Sequence, residues 1–363
     1  MPGVTRPRRL IEVAGVSLCA GLLAVLCVHL GVPAPWIVSF LLVFGAWAVV
    51  GDRRVTPPRS AMTPAQVVIS MLCAVPLVDV GLRTVVSFAW PALLSTVVTL
   101  TVCGGAAVLL TRWARVGPVT AVLSTLAGGA SAMTMMARDL DADARFVTLT
   151  QYLRLTLVVL TIPVMVGVLG APGDRAGAGG AGGGASAGPD AWWAVDWRPV
   201  VGVVGVYLLV RLIAAVVPVP SPFLLLSIPL VVVLAAAGVP EVFLLPHGLV
   251  TTLAYALVGV QAGGTLTWSS LRQFASALPI IVGAIVTALA GCLAAAWVIA
   301  RGMGLPLLDA YLATTPGGIY AVLAYAHDAH AGAVVTVVQV VRVVVMLVVG
   351  AYMPALLGRW ARR

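Results

Sequence analysis

Thr125-Leu-Ala-Gly128-Gly129-Ala-Ser131 and, 189 residues later, Thr314-Thr-Pro316-Gly317-Gly318 are the two stretches on which the reading of this chain turns. Each sits in an apolar surround, and each sets two glycines in succession, behind a proline in the second case. Such pairs disrupt a helix and leave backbone N–H and C=O groups without partners. Within a bilayer those groups persist only where protein or a water-filled cavity satisfies them. A half-helix beginning at the break would offer partial positive charge to an anion. Small residues that merely allow close helix packing are the alternative. Repetition at matched positions favours the break. Thr125, Gly128, Gly129 and Ser131, with Thr314, Pro316, Gly317 and Gly318, are therefore expected to form a substrate site.

The surround is a membrane one. Of 363 residues 61% are hydrophobic and 9% charged, with a mean hydropathy of +1.10, whereas soluble domains are about half apolar and a quarter charged. Too few polar side chains exist to cover a water-soluble fold, so the bilayer must solvate most of the chain. The net charge of +9 does not point to nucleic acid. All 21 basic residues are arginines, and most lie in short clusters flanking apolar runs: Arg6, Arg8 and Arg9; Arg53, Arg54 and Arg59; Arg112 and Arg115; Arg359, Arg362 and Arg363. Such clusters are topology signals. The N-terminal run from Ile11 to Leu30 reads as a retained signal-anchor helix.

Twelve apolar runs follow one another. Six lie at about 11–30, 36–50, 65–82, 89–111, 118–136 and 146–169, and six at about 199–217, 223–237, 248–266, 275–300, 305–326 and 333–357. Between them, 8 of the 20 residues from Ala171 to Asp190 are glycine, the composition of a flexible linker. The halves are copies. A shift of 189 lays Pro118–Ala137 over Leu307–Ala326 with 7 identities in 20 positions. Gln151-x-x-Arg154 pairs with Gln339-x-x-Arg342, Pro33-Ala-Pro35-Trp36 with Pro220-Ser-Pro222-Phe223, and Val80-Gly81 with Ala262-Gly263. The predicted organisation is an all-α polytopic helix bundle of about 10–12 spans: a first repeat over 1–170, a linker over 171–196 and a second repeat over 197–363. At 15 residues each, Trp36–Val50 and Phe223–Ala237 fall short of a core of about 30 Å, so each stops part-way or thins the bilayer, and paired short segments point to a transporter-like centre. If all twelve runs cross, the repeats are parallel. If the Gly-Gly runs dip in and return, the repeats are inverted. Loop arginines number 14 on the inside and 4 outside in either case, with the N-terminus cytoplasmic.

Polar residues inside apolar runs are the remaining candidates. Arg154, Arg211 and Arg342 would each cost about 2.5–3.5 kcal/mol at a helix centre unless paired or hydrated. Gln151 and Gln339 share a helix face with Arg154 and Arg342, three residues on. These faces are expected to point inward near the breaks and meet an anion. Snorkelling, or a salt bridge to Asp79 or Asp309, is the alternative. Asp79 and Gln261 occupy matched positions and either line the cavity or end a helix. His327-Asp328-x-His330 reads as a polar loop rather than a metal site, and the five isolated cysteines as small core residues. No nucleotide loop, nucleophile elbow or spaced cysteine pair is present.

The duplicated Thr-x-x-Gly-Gly segments, the Gln-x-x-Arg helices after them and the Pro-Ala-Pro-Trp turn resemble the AbrB membrane protein family over about 12–358. Ser39-Phe40, where members have Gly-Pro, and Ala127, where the second copy has Pro316, depart from the pattern. The resemblance implies an internally duplicated protein of the plasma (inner) membrane connected with gene regulation. Members also carry an ammonia monooxygenase label, which would need copper or iron ligands that this chain does not gather. The expected function is transport of a small, anionic solute that affects gene expression indirectly. The alternative is a membrane-embedded regulator or sensor without transport. Expected partners are the lipid bilayer and a small-molecule solute, with no cofactor and no direct nucleic-acid binding; homo-oligomers are compatible with the sequence.

Overall fold

The computed structural model describes residues 6–78, 80, 82–169, 192–194, 196–216 and 222–360. Asp79, Gly81 and nearly all of the glycine-rich linker therefore lie outside the described residues, as does the side chain of Ser131. Every element among the described residues is helical. Among the described residues, seven helices are long and apolar enough to cross a membrane.

In the first half these elements are α1 (Arg6–His29), α2 (Pro35–Val50), α3 (Arg59–Val78), α4 (Leu82–Ser87), α5 (Ala89–Trp113), α6 (Pro118–Thr125), α7 (Ala130–Asp139) and α8 (Ala144–Leu169). The second half gives α9 (Trp197–Val216), α10 (Pro222–Leu225), α11 (Ser227–Ala236), α12 (Glu241–Leu244), α13 (Leu249–Gly263), α14 (Trp268–Gln273), α15 (Leu278–Met303), α16 (Leu307–Thr314), α17 (Ile319–Asp328) and α18 (Ala333–Trp360). The short second segments are present as expected, at Pro35–Val50 and Pro222–Ala236. The latter is interrupted at Leu226, where Pro229 has no N–H to return to Leu225. Ser39-Phe40 leaves α2 unbroken, with Phe40 stacked on Phe44 at 6.0 Å.

Small residues set the central crossing. Gly259 and Gly263 of α13 face α2, where Cβ atoms would meet the carbonyls of Ile37 and Leu41. Only glycine lets the two backbones approach this closely, the small-xxx-small device of membrane helices.

Loop contacts sort the bundle into two ends. At one, Val55 donates to Gly264 O (2.7 Å), Ser269 N donates to Asp52 (2.9 Å), and Phe146 meets Phe274 edge-on at 5.2 Å. Arg53 pairs with Glu12 there. At the other, Trp36 packs on Trp192 (5.1 Å), Leu249 N donates to Ala194 O (3.1 Å), and the carboxylate of Asp328 faces the Ala34 N–H. The first end carries most of the loop arginines.

Candidate functional site

Both Gly-Gly segments break their helix, and both then turn back. A continuous helix over 118–139 would hold its ends about 30 Å apart. Instead Asp143 N, just beyond α7, donates to Thr120 Oγ1 in the first turn of α6, at 3.0 Å. Likewise Gly332 N, just beyond α17, donates to Asp309 Oδ2 at the start of α16, at 2.9 Å. Each segment is thus a re-entrant hairpin. The α6–α7 mouth lies at the arginine-rich end, beside Phe146, and the α16–α17 mouth lies at the opposite end, where Asp328 meets Ala34. They enter from opposite sides, and their tips meet the other half of the chain. A Cβ on Gly128 would press on Met133 and lie 3.5 Å from Met346 of α18. Cβ atoms on Gly317 and Gly318 would press on Val158 and Leu155 of α8.

The Gln-x-x-Arg pairs serve the breaks directly. Helix α6 ends with carbonyls that no downstream N–H can reach. Gln151 Nε2 donates to Leu123 O and Leu126 O, both at 2.8 Å, and Arg154 Nη1 donates to Thr125 O at 3.0 Å. Arg154 Nη2 is held by Gln151 Oε1 at 2.7 Å. The second pair repeats the arrangement: Gln339 Nε2 to Leu312 O (2.7 Å), Arg342 Nη1 to Thr314 O (2.8 Å), and Arg342 Nη2 to Gln339 Oε1. The intramembrane arginines therefore cap the C-termini of the entering half-helices, a role beyond the anion contact and the snorkelling weighed from sequence. Spacing put each pair on one face; only the hairpin brought α6 and α16 to them.

Two positive groups stay buried at the centre. Arg342 is wholly buried and Arg154 is 9% exposed. The Nε of each is buried without a partner. Asp309 does not neutralise Arg342: its carboxylate is at the mouth, and Gly332, which it binds, precedes Arg342 by ten residues, about 15 Å of helix. Among the described residues the one buried carboxylate is Asp328, also at that mouth, accepting from Tyr255 Oη at 3.0 Å. Helix ends near the guanidiniums roughly cancel. The C-termini of α6 and α16 each contribute about half a negative charge, and the N-termini of α7 and α17 about half a positive one. Among the described residues, about two positive charges remain.

A cavity of about 420 Å³, measured to the atom surfaces and including its opening, lies beside Arg154. Cys103 of α5, Ser124 and Thr125 of α6, Thr150 of α8, Pro316 of the other hairpin's tip, and the Ile281–Ala288 face of α15 line it. Thr150 Oγ1 is buried there without a partner. Thr125 Oγ1 returns to Ala121 O (3.0 Å), so its backbone rather than its hydroxyl serves the break.

The expected site residues are thus partly assembled. Thr125, Gly128, Gly129, Gln151 and Arg154 form one half of the centre, and Thr314, Pro316, Gly317, Gly318, Gln339 and Arg342 the other. Arg211 does not join them: it is exposed on the flank of α9, near that helix's end, where a long side chain can snorkel. Gln261 is half-buried on α13 and does not line the cavity. Sequence reading missed Cys103, Ser124 and Thr150. A signal existed, because Cys103 and Cys292 stand 189 residues apart, the same offset as the Gly-Gly pairs. Among the described residues, no three His, Cys, Asp or Glu side chains come together in a metal-binding group.

A family model described as "Transition state regulatory protein AbrB" matches residues 3–126 and 36–360. The Escherichia coli (strain K12) protein named "Putative regulator AbrB" is 30% identical over 308 residues, covering 81% of each chain. The Bacillus subtilis (strain 168) protein named "Uncharacterized protein YhjN" is 27% identical over 247 residues, covering 66% of this chain and 63% of its own.

Proposed function

The chain belongs to the AbrB family, and from that membership and the crossed hairpins we propose that it is a multi-pass transporter of a small, monovalent anion. One observation carries the reading: two buried guanidiniums stand at the meeting point of two re-entrant hairpins with no carboxylate beside them among the described residues, and one opens onto a cavity. An anion 4 Å from one such charge gains about 4 kcal/mol at an effective dielectric constant of 20. The apolar cavity wall and the buried hydroxyl of Thr150 would suit a small ion better than a polyvalent one.

The two halves, over 1–170 and 197–363, are inverted repeats in this reading. Each contributes five crossings and one hairpin, and the hairpins enter from opposite faces. Inverted repeats place a site at their shared interface and expose it alternately. With the N-terminus cytoplasmic in the plasma membrane, the arginine-rich end faces inward, and the cavity beside Arg154 belongs to an inward-open conformation.

Uptake by purified protein in proteoliposomes tests the proposal, with chloride, nitrate, bicarbonate, acetate and lactate as probes. At least one probe should enter faster than into protein-free vesicles, and Arg154→Gln should abolish the difference. Equal entry with and without protein for all five would overturn it.

A regulatory reading rests on the relative's printed name, which says regulator and names no enzyme activity. The two readings are compatible if the moved anion is the effector. A transport-dead Arg154→Gln variant that still alters gene expression would separate them. Direct contact with DNA finds no support among the described residues, where no polar element stands out from the bundle.

A further inference from the structure

Arg154 borders an open cavity, whereas Arg342 is wholly buried, and the residues that match the cavity's α15 wall are buried too. Helices α5 and α15 overlay without a gap at the offset of 189, matching Cys103 to Cys292 and Arg112 to Arg301. The wall that α15 gives the open cavity, Ile281, Ala284, Ile285 and Ala288, then corresponds to Ala92, Ser95, Thr96 and Thr99 of α5. All four are buried, Ser95 and Thr99 completely. Cys292 packs against Thr99, its Sγ 3.9 Å from Thr99 Oγ1, and Thr314 Oγ1 donates to Cys292 O at 2.9 Å.

Two polar groups in this closed region lack partners. Ser95 Oγ and Arg342 Nε are both buried and unbonded. Such groups cost stability and call for an explanation. Thr96 and Thr99 avoid that cost by returning their hydroxyls to Ala92 O (2.6 Å) and Ser95 O (2.8 Å). Ser95 makes no such bond. A donor kept buried and unused in one conformation is accounted for if another conformation uses it.

We propose that Ser95, Thr96 and Thr99, with Arg342, form a second anion-binding vestibule that opens to the face opposite the first cavity and is closed here. It rests on the transport reading and on the inverted arrangement of the halves. It adds that the two vestibules carry their hydroxyls on different helices. In the open one the hydroxyls stand on α6 and α8, at Ser124, Thr125 and Thr150, opposite an alanine–isoleucine face of α15; in the closed one they stand on α5 itself. An anion approaching from the second face meets the Ser95 hydroxyl as well as a guanidinium, as one in the open cavity meets Thr150 and Arg154.

Side-specific labelling tests this. Ser95→Cys and Ala284→Cys are each reconstituted in proteoliposomes, exposed to a membrane-impermeant thiol reagent from one face or the other, and read by site-resolved mass spectrometry. Thr99→Cys is an independent reporter should Ser95→Cys fold poorly. Ala284→Cys should react from the arginine-rich face, and Ser95→Cys or Thr99→Cys from the opposite face alone. Reaction of Ser95→Cys and Thr99→Cys from the arginine-rich face, or from neither face while Ala284→Cys reacts, would overturn the second vestibule. Anion uptake by the wild type alongside inert Ser95→Cys and Thr99→Cys would leave transport standing and remove this inference alone. Absence of uptake would instead remove the transport reading on which it rests.

Discussion

The two hairpins use the same pair of glycines for different ends. In the first, Gly129 adopts φ +94°, ψ 124°, open to glycine alone, and a Cβ there would meet nothing within 4 Å. In the second, Gly318 sits at φ −62°, ψ 111°, which any residue tolerates, yet its Cβ would run into Leu155. One glycine is needed for its torsion and the other for its space. Pro316 accounts for the difference: it shapes the second tip before the glycines arrive, whereas Ala127 leaves that task to Gly129. The arginines behind the tips differ too. Arg154 borders the cavity and Arg342 is sealed.

That contrast can be broken experimentally, and the largest effect should come from the sealed arginine. Arg342→Ala strips Thr314 O and Gln339 Oε1 of their donor where no water enters, at about 1–3 kcal/mol for each stranded group. Arg154→Ala removes the same bonds beside a cavity that water can fill, so thermal unfolding in detergent should show Arg342→Ala as clearly the weaker protein. Equal losses would erase the distinction between a sealed and an open side.

The glycines give the next contrast. Gly318→Ala should be destabilising, and Leu155→Ala in the same chain should recover most of the loss, because the two changes share one space. Gly129→Ala should cost about 1–2 kcal/mol as a torsional penalty, and Leu155→Ala should not restore it. Rescue of both, or of neither, by Leu155→Ala would contradict the assignment of roles. A smaller effect is expected at the second mouth. Asp328 is buried with a neutral tyrosine as its side-chain partner, and no cation lies within ion-pair reach among the described residues. Asp328→Asn keeps an acceptor for Tyr255 and removes the cost of burying a charge, so its melting temperature should equal or exceed that of the wild type. A clear drop would mean that the ionised form holds the mouth closed.

Much of this architecture was legible in the sequence, and the exceptions share a cause. Apolar runs located the helices to within a few residues at most boundaries, because a bilayer demands long apolar stretches. The paired glycines located the breaks for the same reason that they make them. The path of the chain after each break was not legible. A run that crosses and a run that returns are equally apolar, and the deciding bonds, Asp143 to Thr120 and Gly332 to Asp309, join residues over 20 positions apart. The role of Arg154 and Arg342 was hidden likewise, since the carbonyls they cap lie 28 or 29 residues upstream. Arg211 looked equivalent to them because composition cannot tell a flank facing outward from one facing the core.

Anion binding at the wild-type centre is the most direct test. Melting temperatures would be measured across a concentration series of the sodium salts of the five probe anions, for wild type and for Arg154→Gln. A ligand that binds the folded state raises its stability by a saturating amount. At least one salt should give a saturating rise in the wild type that vanishes in Arg154→Gln. Curves that coincide for the two proteins with every salt would contradict an anion site at the crossed hairpins.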